Sequence, residues 1–288
     1  TPDIVVSTGT SEKNFLPYLS VSTHPVFIRE IHFEKNYGKR AAKTWKDMLM
    51  ANVADFYDYG HRIRKYDRIV VLTQEDKGKN WKGWSRVEVI PNPITIKPHG
   101  LSNCSSTKAI AAGRLVQQKN FASLIRVWKK VAERYPNWVL DICGSGEQEQ
   151  MLQKLIKDLG LERQVFLKGY TSNVLSQMEN SSMFLLSSEF EGFGLVILQG
   201  MSVGLPIVAY ACPCGPKDLI EDRHNGFLIP MHDEAMFAEK ICTLIEDEEM
   251  RKRMGHQAWL ASQDYQLDKI ITRWMRLFEG LRAEKKSC

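Results

Sequence analysis

The sequence predicts an α/β protein built on two parallel sheets, each wrapped by helices. Three observations carry this. Short apolar runs of strand length alternate with segments whose apolar residues recur at helical spacing along most of the 288 residues. Glycines fall where apolar runs hand over to helices, the edge at which parallel sheets meet ligands. A polar stretch near residue 100 divides the alternation into an early and a late set.

In the early set, Asp3 to Ser7, Val26 to His32, Arg68 to Thr73 and Val87 to Pro93 read as strands. Lys97 to Thr107 is polar and reads as a linker. The late set opens with Ala109 to Leu115, a strand running into a loop, and Lys119 lies just before a helix carrying Phe121, Leu124, Ile125, Trp128 and Val131. Trp138 to Cys143 is the next strand, followed by Gly144-Ser145-Gly146 and a helix with Met151, Leu152, Leu155, Ile156 and Leu159 that Gly160 ends. Val165 to Tyr170 and Met183 to Leu186 are further strands. After Glu191-Gly192-Phe193-Gly194 a helix runs from Leu195 to Val203, a strand at Leu205 to Tyr210 follows, and the stretch from Cys212 to Ile220 leads into Asn225-Gly226-Phe227-Leu228-Ile229. The second sheet region runs to about Asp247, and amphipathic helices fill the rest. The last places Ile270, Ile271, Trp274, Leu277 and Phe278 on one face.

Composition bounds the partners. With 43% hydrophobic residues and ordinary charge content the chain is a globular protein long enough for one large or two medium domains. It contains no run of about eighteen apolar residues, the length a membrane span needs. Thr1-Pro2-Asp3 has neither an initiator Met nor a signal-peptide pattern, so the sequence reads as a fragment. Six cysteines without a regular framework fit free thiols in a reducing cytoplasm. Cys212 and Cys214 lack the common zinc spacing and have no second pair, so no metal is expected. A net charge of +5 without a recognisable module argues against nucleic acid. Lys35, Lys39, Arg40, Lys43 and Lys46 share a helical stretch with Tyr37, Trp45, Met48, Leu49 and Met50. This stretch is either a solvated face on a helix that packs its aromatic side inward or a surface resting on anionic lipid, a peripheral contact with the inner face of the plasma membrane.

The chemistry concentrates at strand ends. Free N–H groups at the mouth of the Leu195 helix suit an anion, and Arg114 and Lys119 put two cations at one strand edge. Taken in order, Gly113-Arg114-Leu115 with Lys119, the Gly144/Gly146 turn, Glu191 to Gln199, and Cys212-Pro213-Cys214-Gly215-Pro216 with Asn225-Gly226 resemble the motifs of retaining glycosyltransferases of GT-B fold, family 4 (group 1). The likeness is to bacterial hexosyltransferases that build capsule, lipopolysaccharide and glycan-lipid oligosaccharides.

The resemblance implies two Rossmann-like domains facing a cleft. The first covers 1–106 with its linker and is incomplete at its N-terminus, the second covers 107–255, and a helix in 256–288 crosses back toward the first. It implies transfer of a hexose from a nucleoside diphosphate sugar, UDP-linked by preference, to a glycan or lipid-linked acceptor, with no metal or other cofactor. Arg114 and Lys119 would neutralise the diphosphate, Glu191 would contact the donor sugar, and His32 would face that sugar across the cleft. Gly113, Gly144, Gly146, Phe193, Gly194 and Leu195 would supply backbone near the nucleotide. Tyr170 either meets the base or simply packs. Glu30 and Glu34 are acceptor-side candidates.

One position departs from the pattern. The family's second Glu is Gln199 here, whose amide can hydrogen-bond ribose hydroxyls but brings no charge. That departure keeps a second function class open, a non-catalytic sugar-nucleotide-binding accessory subunit, and a sugar-nucleotide epimerase of the same fold is a third.

Overall fold

A computed structural model of the chain describes residues 2–9, 12, 16, 25–33, 37–42 and 44–286. They form two compact units. One comprises residues 1–93 with 267–288, and the other residues 94–266.

The first unit holds a four-stranded parallel sheet in the order β1 (Ile4–Ser7), β2 (Val26–Ile31), β3 (Arg68–Val71), β4 (Val87–Val89). Between β2 and β3 lie α1 (Tyr37–Ala41) and α2 (Trp45–Tyr57), and α3 (Gln74–Asn80) joins β3 to β4. The basic stretch that reads as one helix is therefore two. Thr44 interrupts it with a capping box, its hydroxyl accepting from the Asp47 N–H while the Asp47 carboxylate accepts from the Thr44 N–H. Nor does α2 pack its aromatic side inward, because none of its residues is buried.

The second unit is a six-stranded parallel sheet whose strands are β5 (Lys108–Ala112), β6 (Val139–Cys143), β7 (Val165–Gly169), β8 (Met183–Leu186), β9 (Ile207–Tyr210) and β10 (Gly226–Ile229), in the spatial order β10-β9-β8-β5-β6-β7. Both β8 (MFLL) and β9 (IVAY) are buried at every residue, as expected of strands covered on both faces. The covering helices are α4 (Phe121–Arg134), α5 (Glu149–Asp158), α6 (Val174–Glu179), α7 (Leu195–Ser202), α8 (Pro216–Leu219), α9 (Glu234–Glu246) and α10 (Glu248–Ser262). One face of α4 supplies Leu124, Ile125, Trp128 and Val131 to a core shared with Leu140, Ile142, Leu185 and Phe237.

The domain limits differ from those read in sequence. The stretch taken as a linker belongs to the second unit, where Ser102 N–H donates to Val203 O at 2.8 Å and Ser102 Oγ to Ser181 O at 2.5 Å. The lower limit of 256 also moves, since α10 continues through it to Ser262 and the divide falls after Gln266. The last helix, α11 (Leu267–Lys286), lays Ile270, Trp274, Leu277, Phe278 and Leu281 on Val26, Ile28, Val70 and Ile90 of the first unit. Among the described residues no helix is long and apolar enough to cross a membrane.

A buried arginine ties the second unit together. Arg251 on α10 is 3% exposed and donates to the carbonyls of Cys104 (2.7 Å), Leu244 and Ile245, the last two at the C-terminal turn of α9 where carbonyls lack helical partners. Arg251→Leu leaves these acceptors without donors and should cost about 3 kcal/mol. Urea unfolding should show a lowered midpoint with unchanged slope.

Candidate functional site

The order of strands in the second unit creates the site. From β5 the chain builds outward through β6 and β7, then returns to the other side of β5 with β8, β9 and β10. At such a reversal the carboxyl edge between the two neighbouring strands is where open α/β sheets take ligands. Here those strands are β5 and β8, registered Ala109 to Met183 and Ile110 to Phe184. Their loops are residues 113–120 and 187–194, which carry the two cations and the acidic motif.

The two loops are stitched together. Ser187 Oγ donates to Lys119 O at 2.8 Å, Glu189 N–H to Gln118 O at 2.8 Å, and Gln118 Nε2 to Phe190 O at 2.8 Å. Asn120, in the left-handed region at φ 47°, caps α4 and also donates through Nδ2 to Glu189 Oε1 at 2.5 Å. At the centre Lys119 Nζ meets Glu191 Oε1 at 2.7 Å, and Ser188 Oγ donates to the same oxygen at 2.7 Å. Glu191 is 6% exposed, so its charge is compensated by a cation and a hydroxyl rather than by bulk water. Sequence gave no sign that these two residues pair.

Arg114 differs from Lys119. It lies exposed on the same loop, and no hydrogen bond or ion pair engages its guanidinium among the described residues. Beyond the acidic motif, Gly194 at φ 88° opens α7 without a side-chain cap, which leaves first-turn N–H groups for an outside acceptor. Phe193 is buried, whereas Leu195 and Gln199, one turn apart, lie on the less buried face of that helix.

The glycine turn has a packing cause. A Cβ on Gly144 would stand 1.9 Å from Gly113 O, and one on Gly146 2.5 Å from Leu115 O. The β6 loop thus seats directly on the β5 loop, with Gly113 N–H donating to Cys143 O and Leu115 N–H to Ser145 O, both at 2.9 Å. The same logic accounts for Gly215 at φ 122°, whose Cβ would fall 2.2 Å from Phe193 O. Tyr170, at the end of β7, is 78% exposed, so packing does not explain it.

The acceptor-side candidates lie in the first unit. His32 follows β2, and its Nε2 is 3.6 Å from Glu30 Oε2. The Glu30 carboxylate holds the imidazole above the ordinary histidine pKa of 6.5, against opposition from partial burial and from the Arg29 guanidinium. Glu34 lies outside the described residues. A raised folded-state value means that the pair stabilises the fold fully below pH 6.5 and that this stabilisation is lost as pH rises through the raised value. Glu30→Gln should return the His32 pKa toward 6.5 in an NMR titration and flatten stability against pH above that value.

The sequence model of the family described as Glycosyl transferases group 1 matches residues 95–259. An uncharacterized glycosyltransferase of Haemophilus influenzae is 36% identical over 212 residues, covering 72% of this chain and 60% of that one. Another from Methanocaldococcus jannaschii is 31% identical over 285 residues, covering 83% and 69%. The poly(glycerol-phosphate) alpha-glucosyltransferase of Bacillus subtilis is 33% identical over 167 residues, which is 58% of this chain and 25% of that protein. The chain thus spans well under two thirds of the length of some of these relatives. Among solved structures, a TarM variant from S. aureus in complex with fondaparinux, alpha-GlcNAc-glycerol and UDP superposes with a TM-score of 0.79 at 24% identity, covering 95% of this chain and 55% of that one. The lipopolysaccharide outer core galactosyltransferase WaaB superposes with a TM-score of 0.74 at 21% identity, covering 99% and 76%. At such identities the likeness speaks for the fold, which is GT-B.

Proposed function

We propose that this chain, which belongs to the group 1 glycosyl transferases, serves a retaining, metal-independent transfer of a hexose from a UDP-sugar to a glycan or lipid-linked acceptor in bacterial surface polysaccharide synthesis. The observation that carries the reading is the carboxyl edge at β5 and β8, whose loops bring together an arginine with no ion pair among the described residues, a lysine bonded to a buried carboxylate and an uncapped helix mouth. That set suits a reaction in which negative charge grows on a departing diphosphate. Relatives named for transfer to surface polymers, and a solved neighbour holding UDP, support the donor and acceptor classes.

In this reading Arg114 and Lys119 take up the diphosphate charge, aided by the N–H groups after Gly194. Glu191, already oriented by Lys119 and Ser188, hydrogen-bonds hydroxyls of the sugar. Gln199 holds ribose through its amide. The bond from the anomeric carbon to the phosphate oxygen breaks, the acceptor oxygen bonds that carbon from the same face, and the acceptor proton passes to the leaving phosphate. His32, kept protonated more readily by Glu30, belongs to the acceptor side.

Turnover is tested with a panel of nucleoside diphosphate hexoses and measured as nucleotide release coupled to product. Arg114→Ala should lower kcat about 100-fold to 1000-fold, by analogy with a lost oxyanion donor. Binding of UDP without transfer to any acceptor would favour the accessory-subunit reading that Gln199 invites.

A peripheral membrane contact also belongs to this proposal. Trp45 is 72%, Met50 68% and Phe56 64% exposed on α2. The first unit is also basic, with 21 Lys and Arg against 14 Asp and Glu, while the second has 18 against 20. An apolar helix on a cationic unit suits an anionic interface. Sedimentation with phosphatidylglycerol vesicles should weaken about tenfold in Trp45→Ser/Phe56→Ser, and equal binding by the variant would remove α2 from the contact.

A further inference from the structure

The first unit carries a concavity of its own. It is a groove of about 350 Å³ at the amino ends of β3 and β4, the rim opposite the one that His32 occupies. One wall is the turn of 3₁₀-helix at Ile63–Lys65, and the other is the turn Gly83 to Arg86. Arg64 stands on the first wall and Trp84, Ser85 and Arg86 on the second, and Ile69 and Tyr66 also line the groove.

Five other cations of this unit are each held by a carboxylate. Lys39 pairs with Asp55 at 3.0 Å, Arg62 with Asp58 at 2.7 Å, Arg68 with Glu284 at 2.7 Å, Lys79 with Glu75 at 2.6 Å and Arg282 with Asp3 at 2.9 Å. Among the described residues no carboxylate pairs with Arg64 or Arg86. Arg64 lies against an aromatic face, its guanidinium carbon 5.9 Å from the centroid of the Trp84 ring. Trp84 is fixed in turn, its N–H donating to Trp81 O at 3.0 Å and its ring meeting the fully buried Trp81 edge-on at 5.6 Å. Arg86 is held by its carbonyl, which accepts from Ile69 N–H at 2.9 Å. The same groove is thus lined by two arginines of like charge.

We propose that this groove binds a phosphate ester or phosphodiester. Each guanidinium offers a fork of donors matched to phosphate oxygens, Ser85 adds a hydroxyl, and the Trp84 ring offers a face for the carbon skeleton that bears the phosphate. The site is separate from the donor crevice, being on the other unit and built from different residues. Its ligand therefore need not be a nucleotide. The same chemistry is carried by a polymer with phosphodiester links and by a single lipid headgroup.

The test is calorimetric titration of the whole chain with three probes: glycerol 3-phosphate, a glycerol-phosphate oligomer, and dihexanoyl phosphatidylglycerol below its micelle concentration. At least one should bind, more weakly as salt rises, and should change the tryptophan fluorescence in a way that Trp84→Phe abolishes. Arg64→Ala/Arg86→Ala, two exposed positions whose loss should leave the thermal midpoint unchanged, should weaken binding at least about tenfold. Arg64→Lys/Arg86→Lys should recover part of it, since charge remains but the fork is lost. Preference for the oligomer would identify a polymer as the source, and preference for the short lipid would identify a headgroup. No heat with any probe, or the same affinity in Arg64→Ala/Arg86→Ala, would overturn the proposal.

Discussion

The adjacency of β5 and β8 is the constraint on which the site proposed for the sugar nucleotide depends. Because these strands are neighbours in space but three apart in sequence, their loops meet at the carboxyl rim of the second sheet. The Lys119 to Glu191 contact follows directly, as do the hydrogen bonds that run from Gln118 and Asn120 to the acidic motif. A crevice of this kind is rigid for a physical reason. Its walls are backbone resting on backbone, at Gly144 against Gly113 and at Gly215 against Phe193, where not even a methyl group fits. In the proposed transfer, donors already oriented would need little reorganisation when charge develops.

The charges around the crevice fall into two classes with different energetics. Lys119 and Glu191 are both largely shielded from water, so each compensates the desolvation of the other and neither stands alone. Arg114 is out in solvent and retains its full capacity for an external anion. One cation is thus tied to the carboxylate, and the other has no ion pair among the described residues. Such a division lets the loop keep its shape without ligand and still offer positive charge to one. The first unit repeats the theme at another place, where a cation held over an aromatic ring faces a groove instead of a carboxylate.

Much of this was legible in the linear sequence. Continuous apolar runs such as Met183 to Leu186 announce strands buried on both faces, and the spacing of Phe121, Leu124, Ile125, Trp128 and Val131 announces α4, because these periodicities are properties of a local backbone. The glycine turns and the order of the motifs point to the GT-B fold, which the chain has. Less visible was the break between α1 and α2, although Thr44 and Asp47 stand at capping-box spacing. The basic and apolar residues on either side read as one periodic stretch and masked that signal.

What the sequence by itself determined is the set of elements, their parallel character and the residue types brought to the strand ends, since each depends on contacts within a few residues. The tertiary structure alone decided which strand ends are neighbours, that Lys119 is matched to Glu191, and that the stretch around Ser102 is packed rather than free. It also decided that α2 keeps its aromatic residues outside and that Arg64 and Arg86 share a groove. These facts rest on strand order and on contacts between residues far apart in the chain, and no local pattern encodes them.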